Sequence, residues 1–456
     1  MGKVTKWHLS SKPYKVQLEA LKSAKGKEGY AYFMEMGLGK TAVCWSEFTD
    51  LIYKDVVDFM IVVCPNSLKT NWMIEAEKQG VTGISYAPWP YIPEGVNIMM
   101  AINYEAISTK KGQKILSDMM QERSVYLVFD ESIALKNPRA MRTKRAINLA
   151  KEAKVVRVLS GQPVTKSAMD LWGQLKVIGH VGTRNPYAFR NRFCIMGGYL
   201  GKEIVGSRNS EELEQILTAA SFRAKKKEWT DLPDKSYSTR DYDMTKNQKE
   251  MYTQMHKDFV IKIEEGSITA PMAITQAMKL QQIGSGFIID EEGNTHTIVP
   301  SDNNPKIKVV EEIVEQANSK VIIFAFYKRS VFSLVEAFKD RCTLIAGGMS
   351  QQEIELAKFN FNEGDKEVII CQISSAKYGH TLLGNDDFPC YTSVYYENVY
   401  DLDARVQSED RNHRHGQHHP VMYIDLLGNL MDHRIISALV KKQNVADAIM
   451  ATTLPY

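Results

Sequence analysis

The run MEMGLGKT sets Gly37, Leu38, Gly39, Lys40 and Thr41 directly after the apolar stretch YAYFM and just before a segment with helical spacing. Strand, glycine-rich turn and helix in that order suit an anion. Glycines let backbone N–H groups close around phosphates, Lys40 reaches the outer ones, and the Thr41 hydroxyl can ligate Mg2+. Met36 lies in the same loop. The strict phosphate-loop pattern asks for glycine where Met34 stands, so the run alone also fits a glycine-rich turn with an exposed lysine.

A second group follows the apolar run VYLVF, which delivers Asp130 and Glu131 to the C-terminal edge of an expected strand. One carboxylate there can hold a Mg2+ shell while its neighbour orients or deprotonates a water. Two acids after a strand also fit a helix N-cap with a first-turn acid. The loop upstream favours the first reading.

The third group is QSEDRNHRHGQ, Gln407 to Gln417. Arg411 and Arg414 stand three apart and share one face if the stretch is helical. Arginines aimed at a transferring phosphoryl group stabilise the charge it develops. An isolated Arg-x-x-Arg is more simply a solvated basic face. His413, His415, His418 and His419 invite a metal reading, but no carboxylate or cysteine stands at zinc-like spacing, and no metal is expected of them.

The elements that must position these groups follow from periodicity. Apolar runs near 58–65, 96–103, 124–131 and 154–161 alternate with helical spacing over 67–78 and 142–151, and the pattern returns at 320–327, 366–373, 392–399 and 420–427. That alternation predicts α/β architecture with parallel sheets covered by helices. Three parts are expected: 1–184, a phosphate-binding lobe; 185–300, a helical protrusion and linker with amphipathic segments near 210–220 and 247–265; and 301–456, a second lobe bearing the arginines.

The length of 456 residues exceeds what one core usually organises. Hydrophobic residues make up 44% and charged residues 24%, with no apolar run near the roughly 18–20 residues that span a bilayer. The basic N-terminus has no apolar stretch behind it, so a cytoplasmic protein without a membrane partner is expected. Six scattered cysteines without a C-x-x-C pair are expected to be buried thiols. The net charge of +3 demands no polyanion, although the run Arg223 to Lys227 can meet phosphates.

The ordered groups resemble the helicase motifs of superfamily 2, and in detail its Swi/Snf-type branch. KPYKVQLEAL resembles the glutamine motif, with Gln17 in the adenine-reading position; IVVCPNSLKTNWMIEAEK, with Pro65, Ser67, Leu68, Asn71 and Trp72, resembles motif Ia; AINYEAIS resembles motif Ib. DESIALKNP resembles motif II, LSGQPVTKSAMDLWGQL motif III, KVIIFAFYKRSV motif IV, ISSAKYGHTLL motif V and QSEDRNHRHGQ motif VI. The resemblance implies two RecA-like lobes and an ATP-dependent DNA helicase or translocase with ATP and Mg2+ as cofactors. It implies nucleotide contacts from Gln17, Met36, Gly37, Leu38, Gly39, Lys40, Thr41 and Gln407, Mg2+ held through Thr41 and Asp130, and water placed by Glu131. Arg411 and Arg414 then complete the site when the second lobe closes. DNA contacts are implied at Lys69, Asn71 and Tyr104, and at Tyr327, Lys328 and Thr381.

Three departures bear on coupling. Ile133 stands where the branch carries a histidine, residues 160–163 read Ser-Gly-Gln-Pro rather than Thr-Gly-Thr-Pro, and Lys377 and Tyr378 replace small residues before Gly379. Tyr395, Tyr396 and Tyr400 fit strand and core better than a base-stacking platform. The compact chain resembles a small phage or bacterial member more than a large remodeller, which implies a monomer that unwinds forks or migrates branched junctions beside replication or recombination proteins. A nucleotide-switched clamp with little motor activity and an RNA-directed helicase remain the alternatives.

Overall fold

Each apolar run named above lies in a parallel sheet in the computed structural model, which describes residues 8–180, 185–198, 201, 203–264, 270–375 and 381–450. The chain forms two units, Met1–Asp231 with Lys442–Tyr456, and Leu232–Lys441. Among the described residues no helix is long and apolar enough to cross a membrane.

In the first unit the strands are β1 (Gly29–Met34), β2 (Phe59–Cys64), β3 (Ser85–Pro88), β4 (Ile98–Asn103), β5 (Val125–Phe129), β6 (Val155–Leu159), the hairpin β7 (Cys194–Gly197) and β8 (Glu203–Ser207), and β9 (Ser221–Ala224). A seven-stranded sheet runs β3-β4-β2-β5-β6-β1-β9, with every pairing parallel. Its central strands are buried along their whole length, which is why they read as continuous apolar runs rather than alternating ones. Helices at Lys40–Tyr53, Lys110–Glu122 and Met141–Glu152 make crossovers, so the loop after β1, the acid pair after β5 and the turn after β6 emerge at the same edge of the sheet. In open α/β sheets that edge is where ligands bind.

A buried polar node ties the first crossover helix to this sheet. Glu47 accepts the hydroxyls of Tyr32 at 2.9 Å and Tyr126 at 2.8 Å, and Arg157 Nη2 lies 2.6 Å from its carboxylate. The remaining guanidinium donors reach the carbonyls of Lys27, Glu28 and Val156. Buried charges survive only when paired and hydrogen-bonded in this way. Three strands and one helix are thereby fixed in register.

In the second unit the strands are β10 (Lys235–Asp241), the hairpin β11 (Phe287–Ile289) and β12 (Thr295–Thr297), β13 (Lys320–Ala325), β14 (Cys342–Ile345), β15 (Val368–Gln372), β16 (Cys390–Tyr395) and β17 (Val421–Leu427). The six-stranded parallel sheet runs β10-β17-β16-β13-β15-β14. Two helix-covered parallel sheets are the architecture expected of two RecA-like lobes.

The expected division differs from the observed one between 185 and 300. That stretch is not a unit of its own: β9 adds to the first sheet beside β1, and β10 pairs along its full length with β17. Both are edge strands, and SFRA and KSYSTRD carry too few apolar residues to announce themselves. The amphipathic segments do form helices, at Ser210–Ala220 and Lys246–Glu264.

Candidate functional site

The loop between β1 and the helix Lys40–Tyr53 turns on two glycines in the left-handed region, Gly37 at φ 83° and Gly39 at φ 78°. Only glycine adopts that conformation at no steric cost. A side chain at Gly39 would also collide with the amide Nε2 of Gln17, which is buried against the loop while its Oε1 accepts Tyr14 N–H at 2.8 Å. Lys40 Nζ donates to the carbonyl of Met34 at 2.8 Å and sits 3.4 Å from that of Glu35. Thr41 is half-buried in the first helical turn, where backbone N–H groups have no helical acceptor. Leu38 packs into the core of the unit, so its backbone alone can face a ligand. Met36 lies against Gly161 of the turn after β6.

Asp130 is buried at the end of β5. Its Oδ2 accepts the indole N–H of Trp72 at 3.0 Å and its Oδ1 accepts Glu131 N–H at 2.9 Å. Burial raises its carboxyl above the usual range, while Trp72, the Lys40 ammonium and the Glu131 amide pull the other way. A buried carboxylate that ionises at a cost, on the same edge as a loop built for anions, is a fitting ligand for a divalent cation. Glu131 is half-buried with φ 47°, a conformation that costs a side-chain-bearing residue energy and clusters at functional sites.

The turn after β6 is organised by Asp170, whose Oδ2 accepts Thr165 N–H at 2.9 Å, Thr165 Oγ1–H at 3.2 Å and Lys166 N–H at 2.7 Å. Ile133, where a histidine was the family expectation, is buried and apolar.

In the second unit, Gln407 lies in the helix Leu402–Glu409 and donates its amide to Asp403 Oδ1 at 3.0 Å. That helix ends before the arginines, so the condition for a shared helical face is not met. Arg411 and Arg414 sit in successive turns: the Arg411 carbonyl accepts Leu382 N–H at 2.9 Å, the Asn412 side-chain amide donates to Ser393 Oγ at 3.1 Å, and Gly416 adopts φ 96°. Arg411 is 1% exposed with Nε on the Gln407 carbonyl at 2.8 Å, and Arg414 is half-buried. Burial lowers the Arg414 pKa and Asp410 opposes this. The helix itself is anchored by Arg405, which reaches Asp425, Asn398 and Glu409 and lies 3.5 Å from the Tyr395 ring centroid. His413 places Nε2 2.8 Å from the carbonyl of Pro233.

The six residues expected to contact DNA fare unevenly. Lys69 is half-buried with Nζ on the Trp89 carbonyl at 2.9 Å, Asn71 is half-buried, Lys328 is exposed, and Thr381 is half-buried with its carbonyl accepting from Asn362 at 3.0 Å. Tyr104 and Tyr327 are corrected: they are 3% and 7% exposed. The Tyr104 hydroxyl donates to the Asp130 carbonyl at 2.8 Å, and that of Tyr327 to Gln281 Oε1 at 3.0 Å. A buried phenol spends its hydroxyl inside the fold, and neither presents it to a duplex. Tyr395 and Tyr396 are core residues as expected, whereas Tyr400 is largely exposed. The expected motif V departures at Lys377 and Tyr378, and Gly379 after them, lie outside the described residues.

Two side chains at this edge were not among the site residues expected from sequence. Trp72 holds Asp130. Lys226, from the basic run Arg223 to Lys227, is buried with its Cε 3.5 Å from the position a Cβ on Gly37 would take. Its backbone N–H donates to Glu35 Oε2 at 2.8 Å, which places the end of β9 beside the phosphate loop. The basic run was the signal, but only the pairing of β9 with β1 says where it points.

A family model described as the SNF2-related domain matches residues 21–285, more than half of the chain. The chain is 24% identical over 424 residues to the SWI/SNF-related matrix-associated actin-dependent regulator of chromatin subfamily A-like protein 1 of Xenopus tropicalis, covering 88% of this chain and 41% of that protein. It is 24% identical over 452 residues to the DNA annealing helicase and endonuclease ZRANB3 of Mus musculus, covering 91% and 38% respectively. It thus spans only 41% and 38% of the length of these curated relatives. The solved Sulfolobus solfataricus SWI2/SNF2 ATPase core in complex with dsDNA is similar at a TM-score of 0.46 and 20% identity, covering 99% of this chain and 98% of that one.

Proposed function

This chain belongs to the SNF2-related domain family, and we propose that it is a DNA-dependent ATPase that couples ATP hydrolysis to movement along DNA, acting on forks or branched junctions in replication or recombination. The observation that carries the reading is that the loop from Gly37 to Thr41, turned on two left-handed glycines, and the buried Asp130 emerge at the same sheet edge. In this reading the loop from Gly37 to Thr41 binds the phosphates, Gln17 and Gln407 contribute to nucleotide recognition, and Glu131 orients the attacking water. Thr41 and Asp130 would hold Mg2+, which would supply charge neutralisation at the outer phosphates when bound. Arg411 and Arg414 stabilise the transferring phosphoryl group, so turnover depends on a conformational step that brings them into play. Lys69, Asn71, Lys328 and Thr381 are the proposed DNA contacts, made mainly to phosphates. Action on DNA draws support from the similarity to the DNA annealing helicase and endonuclease ZRANB3.

The test is steady-state ATPase with no nucleic acid, single-stranded DNA, duplex, forks, four-way junctions and RNA, paired with a strand-separation or branch-migration assay. The reading expects the largest stimulation from fork or junction DNA, and loss of both ATPase and DNA remodelling in Lys40→Ala. Turnover that stays low with saturating DNA would instead establish a nucleotide-switched clamp, and preferential stimulation by RNA would redirect the substrate class.

A further inference from the structure

Strand β10 ends the second sheet on one side and pairs in parallel with β17 in a single unshifted register, from Lys235 with Val421 to Asp241 with Leu427. It is seven residues long, whereas β3, β9 and β14, which end the other sides of the two large sheets, have four each. Ser236 to Asp241 are exposed one after another, so neither face of the strand is buried. The bonds that flank the ladder show which backbone groups face outward. The Asp234 carbonyl accepts Val421 N–H at 3.0 Å and Tyr242 N–H donates to the Leu427 carbonyl at 3.0 Å, so the even-numbered residues turn their groups to β17. Bonding to one neighbour alternates along a parallel strand, which leaves the N–H and C=O groups of Lys235, Tyr237, Thr239 and Asp241 pointing away from the sheet. Among the described residues no strand meets that edge. Natural sheets blunt such edges with short strands, proline, bulges or inward-facing charges. The first three are missing from β10, and Lys235 is turned back to Glu409 at 3.0 Å.

We propose that β10 docks on β10 of a second copy of this chain, antiparallel about a two-fold axis at Ser238, so that the two six-stranded sheets become one continuous sheet. The segment KSYSTRD is complementary to its own reverse. In that register Lys235 of one copy faces Asp241 of the other, Ser236 faces Arg240, Tyr237 faces Thr239, and the two Ser238 residues face each other. Opposite charges meet at both ends and no like charges stand opposite one another, which is the cross-strand pairing that stabilises a sheet. The four residues whose backbone groups point outward are the ones this register pairs with each other, so the free N–H and C=O groups of both copies are satisfied together. Tyr237, 59% exposed and stacked on Tyr423 with ring centroids 5.4 Å apart, comes diagonal to its own mate, within reach of an aromatic ring. A two-fold contact of one patch with itself is the commonest way soluble chains pair. One strand per copy makes a small interface, so the dimer dissociates on dilution. The family resemblance implied a monomer; this contact stands apart from the motor reading and does not depend on it.

The experiment measures sedimentation of the full chain across a dilution series for wild type, Thr239→Pro and Asp241→Lys, with thermal unfolding beside it, and oxidative cross-linking of Ser238→Cys and Ser236→Cys. Wild type should pass from one chain to two as concentration rises. Thr239→Pro removes an outward N–H, a change that an edge strand tolerates, and should stay a monomer at the wild-type melting temperature. Asp241→Lys sets like charges opposite each other at both ends and should weaken the dimer by on the order of tenfold. Residues that face each other outside the hydrogen-bonded pairs lie about 4.5 Å apart at Cα, within disulfide range. Ser238→Cys should therefore cross-link to its own mate above the wild-type background, while Ser236→Cys, which faces Arg240, should not. A wild-type chain that remains a monomer up to its solubility limit overturns the proposal. So does wild-type dimerisation in a folded Thr239→Pro protein, or cross-linking through Ser236→Cys as readily as through Ser238→Cys. Should Thr239→Pro not fold, Asp241→Lys decides by the same comparison.

Discussion

Trp72 and Asp130 are joined by an indole N–H donated to Oδ2 at 3.0 Å, while the Trp72 carbonyl accepts Trp45 Nε1–H at 3.2 Å. Trp45 lies on the helix that begins at Lys40, so a tryptophan pair connects that helix to the acid pair. Trp72→Phe keeps most of the buried ring and removes the hydrogen bond to a charged acceptor, which is worth roughly 1.5–3 kcal/mol. Single-turnover kinetics should show slower ATP hydrolysis by about tenfold with little change in nucleotide affinity; equal losses in both would mean that Trp72 only holds the fold.

Asp130 predicts a pH dependence. Its folded-state carboxyl is raised, chiefly by burial. A raised pKa contributes stability that is fully present below the unfolded value of about 3.9 and is lost as pH rises through the folded value. Ionised Asp130 is therefore a cost to the ligand-free protein at neutral pH. Asp130→Asn should gain melting temperature relative to wild type at about pH 7.5, and the gain should shrink toward about pH 4. The same variant should lose ATPase activity and the stabilisation that wild type receives from Mg2+ with nucleotide. A wild-type-minus-variant difference that does not vary with pH would contradict the placement of the carboxyl in a desolvated site.

Lys226 lies over Gly37, with its ammonium 4.0 Å from where a Cβ would stand. Lys226→Met preserves the aliphatic stem and removes the charge from the phosphate loop. Nucleotide binding, read by a fluorescent ATP analogue, should weaken by about three- to tenfold, and more for triphosphate than for diphosphate. Equal affinity in wild type and variant would remove Lys226 from the site.

The Glu47–Arg157 node concerns stability rather than chemistry. Arg157→Met leaves a buried carboxylate without its partner, which costs about 3–5 kcal/mol. Denaturant unfolding of the variant measures this directly. A loss under about 1 kcal/mol would mean that the Tyr32 and Tyr126 hydroxyls suffice to hold Glu47.

What was legible in the sequence was local. Met36 to Thr41 and Asp130 with Glu131 are short runs whose meaning depends on the strand before them, and those strands are continuous apolar runs. The edge strands β9 and β10 were not legible, because one face of each stays polar and only pairing with β1 and β17 makes them strands. The helical stretch on which a shared face of Arg411 and Arg414 depended ends at Glu409, and the Arg411 carbonyl accepts Leu382 N–H, a tertiary partner that periodicity does not reveal. Tyr104 and Tyr327 were placed by family position, yet burial is a property of the packed unit.

The proposed function gives Arg414 a part in ATP turnover. Arg414→Ala tests it most directly, since Arg414 is half-buried whereas Arg411 is 1% exposed. In a paired measurement of nucleotide binding and DNA-stimulated ATP hydrolysis, the account predicts binding within about twofold of wild type and turnover lower by a factor on the order of 10³, the scale of a lost arginine finger. Wild-type turnover in a folded Arg414→Ala protein, with Lys40→Ala inactive beside it, would contradict that part.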